Sequence, residues 1–156
     1  MMKLFTISAI ALLTCSCAPQ EEADNDIVRG EVRAMFAECE ALIERDGLMA
    51  EFAFLDSSED FFWVPPGHSS AISYDSVRVA VTLIAQRTRS IVLSWDTLRI
   101  VPLGKTRAAY TGILLWTAED TSGTVTRAKI IETGVVIRRE GGWKLLCGQS
   151  RNLEAN

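Results

Sequence analysis

Gly141-Gly142-Trp143-Lys144-Leu145-Leu146-Cys147-Gly148-Gln149-Ser150 is the stretch whose reading decides the fold. Two adjacent glycines tolerate the positive φ that a tight hairpin turn requires. The tryptophan after them opens an alternating strand. In a regular strand Trp143, Leu145, Cys147, Gln149 and Arg151 share one face, and Lys144, Leu146, Gly148 and Ser150 share the other. The bulk of Trp143 suits a covered face and not an exposed one. Strand period then carries Leu145, Cys147 and Gln149 to that covered face as well. Such a terminal strand needs long strands to pair with and a helix to lie over it.

Both are present upstream. Val125 to Arg139 reads as a long strand, Ala108 to Thr117 as another and Ile91 to Val101 as a third, separated by turns at Leu103–Thr106 and Asp120–Gly123. Alternation in the Ile91 strand slips near Thr97, as at a β-bulge. Before them the period is helical. Val28, Val32, Met35, Phe36, Cys39, Leu42 and Ile43 recur at spacings of three and four, one apolar face of a helix that Asn25 or Asp26 can cap and Gly47 can end. A shorter helix over Leu48–Leu55 and a third, starting near Tyr74 from Ser73 or Asp75, flank the short apolar strand Phe61–Val64. Helices first and an antiparallel meander second make an α+β domain.

The start of the chain is of another kind. Lys3 precedes an apolar run from Leu4 to Leu13, too short to span a bilayer, and Thr14-Cys15-Ser16-Cys17-Ala18 follows. This resembles a bacterial lipoprotein signal peptide, which implies lipidation of Cys17, or of Cys15 with its Leu12 three residues earlier; the alternative is a cleaved, soluble secreted product. We read 1–16 as signal peptide, 17–26 as lipidation site and flexible acidic tether, and 27–153 as the domain. The domain then keeps Cys39 and Cys147, with no CxxC or Cys/His cluster, so neither a metal site nor a cofactor is expected. A net charge of −4 with no basic stripe argues against nucleic acid as a partner.

Taken together, Phe52 to Gly67 (FAFLDSSEDFFWVPPG), Thr111-Gly112, Thr133 to Val136 and Gly141 to Ser150, in that order and spacing, resemble the nuclear transport factor 2-like superfamily, in its SnoaL-like branch. The resemblance covers roughly the stretch from Ile27 to Asn152. It implies a cone-shaped half-barrel, with three N-terminal helices packed on a curved antiparallel sheet. It also implies a pocket between the sheet and the first helix, and a homodimer through the outer face of the sheet. It does not carry one chemistry. Where the ketosteroid isomerases of this superfamily place an Asp base directly before a proline, this chain has Val64 before Pro65. The histidines of other members are matched here by Cys147 and Gln149, and the only histidine, His68, lies in the Pro-Pro-Gly loop.

The pocket is expected to be lined by Phe36, Cys39, Trp63, Trp95, Glu132, Leu145, Cys147 and Gln149. Cys39 and Cys147 should approach each other across it without a bond. Glu132, a carboxylate in the apolar run Ile130–Ile137, is a candidate base if it faces the cavity, where burial would raise its pKa; on the outer face it would be a salt-bridge partner. Asp96 beside Trp95 is a second candidate. Three functions follow. One is an exported lipoprotein binding a small apolar molecule without catalysis, the reading that the missing family signatures favour. Another is a small acid/base enzyme of the isomerase, dehydratase or hydrolase kind. The third is a homodimeric interaction module. A buried, desolvated Glu132 would favour the enzyme.

Overall fold

The computed structural model describes residues 18–153. The apolar leader with Cys15 and Cys17 lies outside them. The first helix, α1, runs over Ala18–Asp46. It begins well before the Asn25–Asp26 cap expected from the sequence, so the segment read as a tether is helical from Ala18 onward. Ala, Gln and Glu in that segment are good helix formers, and Pro19 stands in the first turn, where its missing N–H is not needed. An ion pair of 2.9 Å between Asp24 and Lys105 ties this part of the helix to the domain. Val28, Val32, Met35, Phe36 and Ile43 are buried, which is the face that the three/four spacing marks. The helix ends where the Gly47 N–H bonds the Ile43 carbonyl at 2.8 Å and Gly47 takes a φ of 88°.

The second helix, Leu48–Ala53, is 3-10 in form. Six residues gain little from α-helical cooperativity, and i→i+3 bonds close it, from Ala50 N–H to the Gly47 carbonyl (3.0 Å) and from Phe54 N–H to the Glu51 carbonyl (2.8 Å). Its tighter turn buries Leu48 and leaves Met49 exposed. Strand β1 is Phe62–Val64 and helix α2 is Tyr74–Ala85, capped by Ser73, whose hydroxyl accepts the Ser76 N–H. Edge-to-face contacts of Tyr74 with Phe52 and Phe61 join these three pieces.

Four long strands follow: β2 (Thr88–Pro102), β3 (Arg107–Asp120), β4 (Val125–Arg139) and β5 (Gly142–Leu153). The sheet order is β1-β5-β4-β3-β2. The meander is antiparallel, but β1 pairs parallel with β5, Phe62 opposite Cys147 and Val64 opposite Gln149. The sheet is therefore mixed, where an antiparallel one was expected. The long stretch of chain between β1 and β5 is what makes a parallel pairing possible. The fold is α+β: N-terminal helices, two of them substantial, on a curved mixed five-stranded sheet.

Two bulges set which side chains face the helices. In β2 the register shifts between Trp95 and Thr97, so Asp96 is the extra residue, as the slip in alternation suggests. In β5, Leu145 pairs Val136 but Cys147 pairs Val135, so Leu146 is the extra residue. Trp143 lies before this bulge on the covered face, 6 % exposed, in one core with Val32, Phe36, Tyr110 and Val136. Its indole N–H donates to Glu31 at 3.0 Å, and Arg138 pairs the same carboxylate at 2.8 Å.

Candidate functional site

Strand alternation places Ile130, Glu132, Gly134 and Val136 of β4 on the concave face toward the helices. Glu132 is flanked across the sheet by Gly112 of β3 and Ser150 of β5, two small residues. The Tyr110 hydroxyl donates to its Oε1 at 2.7 Å. Tyr110 is 2 % exposed and Glu132 half-buried, so the hydrogen bond is partly buried.

Three glycines in the sheet seat three aromatic rings. A Cβ on Gly112 would lie 2.9 Å from the Trp95 ring, one on Gly134 would lie 2.9 Å from the Tyr110 ring, and one on Gly148 would lie 2.4 Å from the Trp63 ring. The missing side chains let the rings lie down on the sheet. Phe36 from α1 packs on two of them, with centroids 5.2 Å from Trp95 and 4.7 Å from Tyr110. The Trp63 N–H reaches the Ser150 hydroxyl at 3.3 Å.

The rings and helices enclose a cavity of about 150 Å³, lined by Phe36, Cys39, Glu40, Glu51, Trp63, Trp95, Glu132 and Leu145 among others. It adjoins an outer chamber of about 450 Å³ between α2 and the sheet, whose lining includes Pro65, Pro66, His68, Ser150 and Asn152. Glu51 and Glu132 line both.

The electrostatics follow from the mainly aliphatic and aromatic walls. Burial raises the Glu132 pKa to about 7, against the opposing pull of the Tyr110 hydrogen bond. Burial, with the Glu132 charge adding to it, raises Glu51 to about 8. Glu40 is also raised by burial, although the Trp95 backbone N–H bonds it at 3.0 Å. The Cys39 thiol is pushed up by burial and then by Glu51 and Glu132, and Tyr110 by burial and Glu132. Both stay protonated near neutrality. Cys39 is thus no nucleophile. Near neutral pH Glu132 and Glu51 thus form an interacting pair of carboxyls, both raised into the range where a group can accept or hold a proton.

Of the residues expected at the pocket, Phe36, Cys39, Trp63, Trp95, Glu132 and Leu145 come together there. Cys147 and Gln149 do not. The bulge at Leu146 shifts the period, so beyond it Gly148 and Ser150 share the Glu132 face, while Cys147 and Gln149 pair Val135 and Thr133 on the convex side. Cys39 and Cys147 are both free and lie on opposite sides of the sheet, not across a cavity. Asp96 is exposed at its bulge, outside the cavity. Glu51 was not foreseen. In LMAEFAFL a lone Glu reads as the solvent side of a short helix, though its wholly apolar neighbours were a signal.

No known family's sequence pattern matches the chain, and no curated protein resembles it in sequence. Solved structures do resemble it. A nuclear transport factor 2-like superfamily protein from Salmonella enterica serovar Typhimurium is 13% identical, with a TM-score of 0.69 over 84% of this chain and 94% of that one. A protein provisionally named a scytalone dehydratase, from Novosphingobium aromaticivorans, is 14% identical, with a TM-score of 0.72 over 85% and 89%. The hexachlorocyclohexane dehydrochlorinase LinA-type3 from Novosphingobium barchaimii is 13% identical, with a TM-score of 0.65 over 85% and 91%. Identities this low speak to architecture alone, and on that ground the chain has the nuclear transport factor 2-like fold.

Proposed function

We propose that this protein is a small acid/base enzyme, in which Glu132 takes a proton from a small substrate held largely by apolar contacts. One observation carries the reading: a carboxylate with a pKa of about 7 sits in an apolar-walled cavity, where it is poised to act as a base near neutral pH. The hydrogen bond from Tyr110 orients it. The missing family signatures, Val64 before Pro65 and no histidine on the last strand, are compensated by a carboxylate on β4. That structures of this fold include proteins named as a dehydratase and a dehydrochlorinase supports a reaction that starts with proton removal. The second reading is binding of a small apolar molecule without catalysis, favoured by the mainly aliphatic and aromatic wall.

Nitrobenzisoxazole, which opens to a cyanophenolate when a base removes one proton from carbon, distinguishes the two. We expect turnover that rises with pH through about 7, where Glu132 ionises, and a Glu132→Gln variant slower by about 10²-fold or more. Turnover unchanged in that variant would reject Glu132 as the base. Binding of the probe without turnover would favour the second reading.

We also propose that two copies pair through the convex face of the sheet. Thr111, Ile131 and Thr133 stand exposed there on neighbouring strands. Sedimentation should give a dimer for the wild type and a monomer for Ile131→Glu, because a buried unpaired carboxylate in the contact is costly. A monomeric wild type at micromolar concentration would refute the pairing.

A further inference from the structure

We propose that the inner cavity takes a small organic ammonium group, seated against the rings of Phe36, Trp63 and Trp95 and paired with the Glu51 carboxylate. The charge inventory comes first. Glu40, Glu51 and Glu132 line this cavity, and among the described residues no Lys, Arg or His does. The arginines that approach the helices and sheet nearby are engaged elsewhere, Arg138 with Glu31 and Arg139 with Asp56. Two of the three carboxyls have donors from the protein, Tyr110 for Glu132 and the Trp95 N–H for Glu40. The Glu51 carboxyl, half-buried, has no hydrogen-bond donor among the described residues, and it borders the open space. A buried acid without a partner keeps its proton unless a cation arrives.

The walls select the kind of cation. Aromatic faces carry negative potential and attract an ammonium within about 6 Å of the ring centre, Trp most strongly. Among the described residues no three acidic, Cys or His groups are gathered as a metal-binding set. A soft, partly apolar organic cation therefore suits the space better than a bare metal ion. An anion would meet three acids and the ring faces. A cavity of about this volume holds a benzene-sized group. The amine is a substrate only if the proton-transfer reading holds. Glu51 then neutralises its charge and leaves Glu132, held by Tyr110, as the base.

The test is calorimetry with benzylamine and its neutral isostere benzyl alcohol, near neutral pH, in buffers of different ionisation enthalpy. Benzylamine should bind on the order of tenfold more tightly. It should also release close to one proton per ligand, because Glu51, protonated in the empty cavity, must ionise to pair it. The other ionisable groups lining this space are Glu132 from β4 and Cys39 and Glu40 from α1, with His68 at the outer mouth and Tyr110 behind Glu132. Cys39 and Tyr110 hold their protons throughout. A His68→Asn variant should release the same proton, and a Glu51→Gln variant should lose both the release and the preference for the amine. Equal or tighter binding of the alcohol, no proton release, or no binding of benzylamine at millimolar concentration would overturn the proposal. The loss of nitrobenzisoxazole turnover in Glu132→Gln reports on Glu132 and the proton release lost in Glu51→Gln reports on Glu51, so either result can fail while the other stands.

Discussion

A Gly112→Ala variant is expected to melt about 10 °C below the wild-type protein. The new Cβ would lie 2.1 Å from the Thr97 carbonyl oxygen and 2.9 Å from two atoms of the Trp95 ring. The oxygen belongs to the backbone just after the bulge at Asp96, so no rotamer change relieves it. Either the β2–β3 ladder opens locally or Trp95 leaves its seat. Overpacking of this kind costs roughly 3 kcal/mol, and for a domain of this size each kcal/mol lowers the melting point by about 2–4 °C. Gly30→Ala is the control. It lies mid-helix with nothing within 4 Å of the added Cβ, so it should stabilise by up to about 1 kcal/mol. Thermal melts followed by circular dichroism would decide. A Gly112→Ala midpoint equal to wild type would mean that Trp95 is not held as described.

The second large effect is on pH. Stability should fall by about 3 kcal/mol or more between about pH 5 and about pH 8.5, an unusual direction for an acidic protein. Glu132 and Glu51 have folded pKa values of about 7 and about 8, raised from the ordinary 4.5. Below the ordinary value both states are protonated and nothing is lost. As pH rises the unfolded chain ionises first, and the folded state is penalised until these two groups also ionise. One pKa unit corresponds to about 1.4 kcal/mol, so either group alone supplies an effect of this order. Asp56 works the other way. Although burial pushes its pKa up, Arg139 and Ser58 hold it below the ordinary value, so its contribution is lost only in acid, beneath this window. Urea unfolding at the two pH values measures the drop, and the double variant Glu51→Gln/Glu132→Gln should flatten it. A wild type equally stable at both would show that the carboxyls are not desolvated.

Much of this was legible from residue order. The face of α1 was readable because Val32, Phe36, Cys39 and Ile43 repeat at the helical period, and burial follows from that period. The extent of β4, the Ser73 cap, the bulge beside Trp95 and the covered position of Trp143 were readable for the same reason: each depends on a few neighbouring residues. Glu132 reached the cavity because no bulge interrupts the alternation of β4.

Other features depend on what stands opposite, and only the tertiary structure decided them. The bulge at Leu146 arises where β5 pairs Val135 and Val136 of β4, and it sends Cys147 and Gln149 to the convex side although their spacing from Trp143 is even. The parallel pairing of β1 joins Phe62–Val64 to a strand far along the chain, which no local signal announces. Glu51 is the clearest case. A carboxyl on a short helix is a solvent group until another layer closes over it. Here α1 and the floor of β4 do so, and Glu132 adds its charge. Sequence period determines which way a side chain points; its desolvation, and hence its chemistry, depends on distant residues brought into contact by folding.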